Sequence, residues 1–198
     1  MISYKKKLIQ ALQSLSNIPD EIAGEVADRF KTREYKSGDF YLKAGEKPTL
    51  FSFVLSGLFR YFYITRDGED YTKHFSMENS LVISLSAFLE QRESFFYIEA
   101  LEDSMVFSVD MKELRDMSEN NIHLTKFMLK LIETVFIMKE KREADFLLKD
   151  ALGRYEQFLL NYSGLEKRVR QYHIATYLGI TPVSLSRIRK NHRPSVIP

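Results

Sequence analysis

The chain has 198 residues, of which 44% are hydrophobic and 28% charged, with a formal net charge of +2. That length allows one large domain or two small ones around a full hydrophobic core, and the composition argues against disorder. Cysteine is absent, which excludes disulfides and thiolate metal sites, and no apolar run approaches a membrane helix or a signal peptide, so we expect a cytoplasmic protein.

The first thirty residues carry a helical pattern. Leu8, Leu12 and Leu15 recur at spacings of three and four, so they share one face of a helix. After a break at Pro19-Asp20, apolar residues return at the same period as far as Phe30. The pattern predicts helices over residues 3–32.

Between Glu34 and Asp110 the pattern changes to that of strands. Turn pairs such as Gly38-Asp39 and Gly45-Glu46 separate short runs of aromatic and β-branched residues, a pattern typical of an antiparallel β-sandwich or barrel. Residues 80–90 lack alternation, and we expect a helical turn there. The runs are Phe40–Leu42, Phe51–Leu55, Leu58–Ile64, Tyr71–Phe75, Phe95–Ile98 and Met105–Val109.

After Met111 the period is helical again. A seam of apolar residues with spacings of four and three ends at Arg142, and a second stripe of Phe127, Ile132 and Phe136 lies beside it. Such a seam is typical of helices that contact a second copy. The alternative, that the helix is buried within its own chain, stays open. The predicted dimer interface is Leu124, Met128, Leu131, Val135 and Met138.

A further helix is predicted over residues 148–162, and two short helices joined by a tight turn follow it between Val169 and Lys190. Gly179 can adopt the left-handed conformation that ends the first of these helices. Thr181 is a good N-cap for the second, and Pro182 suits its first position. Ile174, Ala175, Leu178, Leu185 and Ile188 are expected to form the inner faces of the pair.

The same end of the chain is basic. Seven of the 29 basic residues lie between Lys167 and Pro198, where there is no Asp or Glu, so the rest of the chain carries 22 basic against 27 acidic residues. A basic end on an acidic body indicates a polyanionic partner, although a solvated tail is the simpler alternative.

Together these features predict a helix-turn-helix whose second helix enters the major groove of double-stranded DNA. Arg187 is expected to make a bidentate contact to guanine, and the other basic residues to neutralise phosphates. A hairpin that contacts another protein is the alternative. The candidate DNA-binding residues are Arg170, Thr181, Pro182, Val183, Ser184, Ser186, Arg187, Arg189 and Lys190.

Over nearly its whole length the chain resembles the Crp/Fnr (cyclic-AMP receptor protein-like) family of bacterial transcription regulators. The resemblance is carried by Gly38-Asp39, Gly45-Glu46, Phe53–Gly57, Ile98–Ser104 and the series Ala175, Gly179 and Ser186–Ile188. It implies an α+β protein with an N-terminal double-stranded β-roll, a long dimerisation helix and a C-terminal helix-turn-helix, over residues 1–115, 116–146 and 147–198. It also implies a homodimer on a pseudo-palindromic operator, with RNA polymerase as a further partner.

The chain departs from that family in its ligand cassette. Members that bind cyclic AMP have a Gly-Glu-Leu turn and an Arg-Ser pair, where this chain has Ile83-Ser84-Leu85 and Ser94-Phe95. Without the carboxylate and the guanidinium, an anionic cyclic phosphate is poorly held, and the nearby Arg92 and Glu93 could restore one contact only if the register were shifted. We therefore do not expect control by cyclic AMP. These five residues are the candidate effector pocket for an unidentified small molecule; the alternative is that aromatic side chains fill the roll.

Two further departures concern the reading end. Pro182-Val183 stands where well-known members have an Arg-Glu pair, although Arg187 is retained, so the half-site should differ. Too few residues follow Lys190 for a full wing. His74 and His123 lie far apart in sequence, so we expect no metal or haem site. The sequence has no paired-carboxylate cluster, no recognisable Ser-His-Asp set and no glycine-rich phosphate loop, so we expect no cofactor and no enzymatic activity. The competing hypothesis is a small-molecule or protein-binding sensor whose C-terminal hairpin is a protein-interaction surface.

Overall fold

The computed structural model describes residues 2–192, with side chains from Lys5 onward. Eight strands, eight α-helices and one 3₁₀ helix follow one another in the described part of the chain. They are α1 (Ile2–Leu15), α2 (Asp20–Arg29), β1 (Lys31–Tyr35), β2 (Phe40–Leu42), β3 (Leu50–Ser56), β4 (Phe59–Ile64), β5 (Asp70–Ser76), β6 (Leu81–Val82), α3 (Leu85–Leu89), β7 (Tyr97–Ala100), β8 (Ser104–Asp110), α4 (Met111–Glu119), α5 (Ile122–Leu148), α6 (Ala151–Asn161), the 3₁₀ helix (Leu165–Lys167), α7 (Gln171–Leu178) and α8 (Pro182–Asn191).

The strands form two four-stranded sheets, ordered β1-β8-β3-β6 and β2-β7-β4-β5. Strand β8 pairs antiparallel with both β1 and β3. The predicted α+β class, the antiparallel arrangement and the helical turn at residues 80–90 are confirmed. Strand β1 was missed because its sequence, Lys-Thr-Arg-Glu-Tyr, is mostly exposed and has no apolar alternation.

Strand β3 is buried on both faces, so it contributes to two hydrophobic cores. Phe51 and Phe53 belong to a core shared with the helices, whereas Val54 belongs to the core between the two sheets. Ser52 shares the inner face, where its hydroxyl lies 2.8 Å from those of Tyr41 and Ser108. Adjacent residues of a strand point to opposite faces, so a strand buried on both sides reads as a nearly continuous apolar run.

The seam predicted as a dimer interface lies largely inside its own chain. Leu124, Met128 and Leu131 of α5 are at most 9% exposed and pack in the helical core, and Val135 packs against it. The structure therefore favours the alternative left open for these residues, because a buried side chain offers no surface to a second copy. Among the predicted five, Met138 is exposed.

The chain divides into two compact units. One contains the residues up to Tyr61 together with Phe75–Ile137, and the other contains Phe62–His74 and the chain from Met138 onward. Helix α5 and strands β4 and β5 thus contribute to both units. The predicted three-domain division, with boundaries after residues 115 and 146, stays a prediction. In the described residues, no helix is both long enough and apolar enough to cross a membrane.

An aromatic cluster organises the second unit. The rings of Phe158, Tyr162 and Tyr177 lie with centroids 5.5 Å apart in each pair. Strand β5 contributes to this cluster, because the Tyr162 hydroxyl lies 2.8 Å from His74 Nδ1. Burial lowers the pKa of His74 to about 3, and the nearby charges of Lys73 and Arg142 act in the same direction. His74 is therefore neutral at physiological pH.

Candidate nucleic-acid interface

The turn between α7 and α8 has the geometry that the sequence predicted. Gly179 follows α7 in the left-handed conformation, with φ of 67°. The next amide, that of Ile180, donates to the Ala175 carbonyl at 3.0 Å, which ends the helix with a wrapped turn. Thr181 then caps α8: its hydroxyl accepts from the Ser184 amide at 3.1 Å, and Pro182 occupies the first helical position. These cap predictions are confirmed.

The inner faces of the two helices bury four of the five predicted residues, and the fifth, Ile188, is partly buried. Leu185 is fully buried, as are Ile174 and Ala175, so the two helices cross closely at a small side chain. A polar contact that the sequence analysis missed adds to this packing. Gln171, the first residue of α7, donates from Nε2 to the Pro182 carbonyl at 2.9 Å. That bond ties the start of one helix to the start of the other.

The outer face of α8 is the candidate DNA-reading surface, and we use that name for Val183, Ser186, Arg187 and Lys190. All four are exposed, Val183 to 61%. Their spacing of three and four places them on one side of the helix. An exposed apolar side chain, a hydroxyl and two cations on one helical face suit base edges and phosphates in a major groove.

The remaining candidate DNA-binding residues lie around that surface. Arg170 is the exposed residue that precedes α7, and Thr181 and Pro182 are exposed at the start of α8. Ser184 is partly buried, and its hydroxyl lies 3.0 Å from that of Thr181. Ser184 and Thr181 are thus engaged in the cap as well as lying close to the DNA-reading surface.

Arg189 differs from the other predicted DNA contacts. Its guanidinium Nε lies 2.6 Å from a carboxylate oxygen of Glu166, and both side chains are largely buried. The same Glu166 oxygen accepts a hydrogen bond from the Tyr155 hydroxyl at 2.7 Å. Burial and this bond raise the pKa of Tyr155 to about 12. The structure therefore pairs Arg189 inside the domain and does not favour a phosphate contact. Its partner lies one residue before the acid-free stretch, which is why the sequence did not indicate it.

The candidate effector pocket is brought together in part. Ile83, Ser84, Leu85 and Ser94 are at most 9% exposed, and the hydroxyls of the two serines lie 3.4 Å apart. Phe95, by contrast, is 68% exposed, with the Arg92 guanidinium 4.0 Å from its ring centroid. It does not line an internal pocket.

The residue after Phe95 takes the inward position. Phe96 is 5% exposed, and its ring centroid lies 5.9 Å from that of Tyr61. Between the sheets, Phe59 contacts the ring of Tyr41 in the same core, at 5.9 Å. The inward-facing side is thus rich in the chain's own aromatic rings, as the alternative reading of the cassette proposed. Neighbouring residues of an extended segment point in opposite directions. A predicted register that is wrong by one residue therefore places an exposed side chain inside and a buried one outside.

No group of three potential metal ligands lies together in the described residues. His74 Nδ1 lies 2.8 Å from the Tyr162 hydroxyl. The predicted absence of a full wing concerns residues after Lys190, and those from 193 onward lie outside the described residues.

Comparisons with known proteins agree with this architecture. Residues 32–121 match the family model described as "Cyclic nucleotide-binding domain". That segment, which is less than half of the chain, is similar to cyclic nucleotide-binding domains, and the chain has the fold of solved Crp/Fnr-type structures. No curated protein matches the sequence.

Three solved structures illustrate the likeness of fold. The structure of FixK2 from Bradyrhizobium japonicum has a TM-score of 0.71 at 17% identity, covering 81% of this chain and 83% of its own. A Crp/Fnr-family putative transcriptional regulator from Eubacterium rectale has a TM-score of 0.69 at 18% identity, covering 88% and 83%. The catabolite activator protein of Thermus thermophilus has a TM-score of 0.56 at 18% identity, covering 91% and 85%.

Proposed function

We propose that this Crp/Fnr-type protein is a sequence-specific DNA-binding transcription regulator. The observation that carries the proposal is the DNA-reading surface on α8, which presents two cations, a hydroxyl and an apolar side chain to solvent. The α7–α8 turn and the buried Leu185 hold that surface on a folded support. Arg187 is the base-reading residue, because a guanidinium pairs with both acceptors on the major-groove edge of guanine.

The protein acts as a homodimer through a stripe of α5 that its own core leaves uncovered. Leu129 is 56% exposed and Phe136 63%, and the two residues are seven positions apart on the same helical face. Exposed large apolar side chains in such a row are typical of a protein–protein contact. A dimer presents two reading helices, so the operator is a pseudo-palindrome with half-sites about 34 Å apart. RNA polymerase is its further partner when it regulates transcription.

Cyclic AMP is not the effector in this proposal. Ser84 and Ser94 are uncharged, and their hydroxyls lie 3.4 Å apart. The Ser94 hydroxyl also donates to the Phe96 carbonyl at 2.9 Å. A cyclic phosphate would bring a negative charge to a buried position that carries two serines in place of a carboxylate and an arginine, and the nearby Arg92 is already paired with Glu90. We expect cyclic AMP to leave the melting temperature of the protein unchanged, and a clear concentration-dependent rise would contradict this part of the proposal.

The test is selection of genomic DNA fragments by the purified protein, with its mass measured in solution. The proposal expects a dimeric mass and the enrichment of one symmetric motif. Phe136→Glu places a charge in the exposed stripe and should yield a monomer that no longer retains the motif. The exposed Thr134→Glu places the same charge on α5 outside the stripe, so it serves as control and should behave as wild type. A protein that enriches no motif would instead support a sensor whose C-terminal hairpin contacts another protein.

A further inference from the structure

The C-terminal end of α7 is held by side chains from the end of α5 and from α6. Arg142 of α5 donates a hydrogen bond to the Tyr177 carbonyl, and its guanidinium carbon lies 3.6 Å from the centroid of the Tyr177 ring. Arg154 of α6 donates from Nε to the next carbonyl, that of Leu178, at 3.0 Å. Two guanidinium groups thus bind two successive carbonyls of α7.

These contacts answer a specific need of a helix end. The last carbonyls of a helix lack partners within the helix, and the helix dipole makes them favourable sites for cations. A guanidinium can donate to a carbonyl and stack on an aromatic ring at the same time, which an ammonium group cannot do in the same geometry. Arg142 meets both requirements on a single residue, Tyr177.

A third side chain approaches the turn itself. Phe146, one helical turn after Arg142, lies against Gly179, where a Cβ would come within 2.5 Å of the Phe146 ring. The guanidinium groups of Arg142 and Arg154 lie 5.6 Å and 4.9 Å from the centroid of that ring. Gly179 therefore serves two purposes, because it permits the left-handed turn and leaves space for the ring.

We propose that Arg142 is a positioning residue for DNA reading, with Phe146 and Arg154 in support. Helix α8 begins three residues after Gly179, so side chains that fix the end of α7 also fix where the DNA-reading surface starts. The inference rests on the proposed function: in a dimer joined through α5, the attachment of each reading helix to the end of α5 determines the separation of the two. Arg142 thereby sets the spacing of half-sites that the protein accepts.

The experiment uses the full chain and the symmetric operator from the selection, with its central spacer shortened or lengthened by one and two base pairs. Fluorescence anisotropy measures the affinity of wild type, Arg142→Ala and Arg142→Lys for each spacer. We expect Arg142→Ala to bind the native spacer roughly 3- to 30-fold more weakly and to discriminate less between spacers. Arg142→Lys should fall between the two, because it retains the charge without the stacked fork. Lys141→Ala removes a charge from the adjacent exposed position and should match wild type.

The spacer series separates positioning from stability. A loss of folded protein lowers the affinity for every spacer by the same factor, whereas a positioning defect changes the ratios between spacers. Unchanged ratios between spacers in Arg142→Ala, with or without a uniform loss of affinity, would overturn the inference and leave the proposed function intact. A wild-type protein that selects no symmetric operator would overturn the proposed function itself. If thermal melting shows that Arg142→Ala is unfolded, the same spacer series is measured with Phe146→Leu, and the ratios of its affinities decide.

Discussion

The outer and inner sides of α8 each carry an arginine, but the two arginines have different surroundings. Arg187 is exposed on the DNA-reading surface, whereas Arg189, two positions later, is paired with Glu166. Leu185, two positions earlier, is fully buried. A basic residue in a reading helix is therefore not by itself a DNA contact, because its neighbours decide whether its charge is available. Substitutions on the inner side should change stability first, and those on the outer side should change binding alone.

The largest effect is expected for Leu185→Ala. The variant removes a fully buried side chain that holds α8 to α7 and leaves a cavity. It should lower the free energy of unfolding by about 2–5 kcal/mol. Urea denaturation followed by circular dichroism measures the change. The exposed Val183→Ala is the control and should shift stability by less than about 0.5 kcal/mol. Equal losses in the two variants would show that the inner and outer sides do not differ as described.

Arg187→Ala should have the next largest effect, and only on binding. Loss of a bidentate contact to guanine costs about 1–3 kcal/mol, or roughly 5- to 150-fold in affinity for the selected operator. The melting temperature should stay that of wild type, because the side chain is exposed. Anisotropy titrations against the operator and against a scrambled duplex distinguish the roles. If affinity for both duplexes fell by the same factor, Arg187 would contact phosphate rather than a base.

The features that could be predicted from the sequence are those set by a few adjacent residues. The left-handed Gly179, the Thr181 cap and Pro182 at the start of α8 each depend on local backbone preferences, and the structure has all three. The inner residues of α7 and α8 followed from the helical period in the same way. Local signals thus located the candidate site in the chain and the side of α8 that carries it.

The features that could not be predicted depend on partners distant in sequence. Arg60 is 1% exposed within an aromatic strand, and nothing in its neighbours along the chain indicates that a charged side chain is buried there. The apolar seam of α5 is compatible with two interpretations, because a regular apolar row can pack in the core of its own chain or against a second copy. Leu124 and Leu131 face inward because they share a core with residues distant in sequence, among them Phe51 and Phe107 of the sheet. The contact of Arg142 with Tyr177 spans 35 residues and has no local signal.

The aromatic cluster of the second unit includes a contact with His74, whose burial makes the stability of the protein depend on pH. The pKa of His74 is about 3 in the folded chain and about 6.5 in an unfolded one, because burial disfavours the charged ring. The unfolded chain therefore takes up a proton first as pH falls. Stability is complete above about pH 6.5 and declines below it, by at most about 1.4 kcal/mol per pH unit. His74→Gln should reduce the slope of melting temperature against pH between 6.5 and 4. An unchanged slope in the variant would assign the acid sensitivity to other groups.

The smallest effect separates the two cations at the end of α8. Lys190 is exposed and suited to a phosphate, so Lys190→Ala should reduce the slope of log affinity against log salt concentration by about one. Arg189→Ala should leave that slope unchanged, since its guanidinium is paired with Glu166, and should instead lower the melting temperature by leaving a largely buried carboxylate without its cation. Affinity titrations over a salt series measure the slope for both variants. Should Arg189→Ala reduce the slope as Lys190→Ala does, Arg189 would leave Glu166 for a phosphate on binding, and the inner side of α8 would take part in DNA contact.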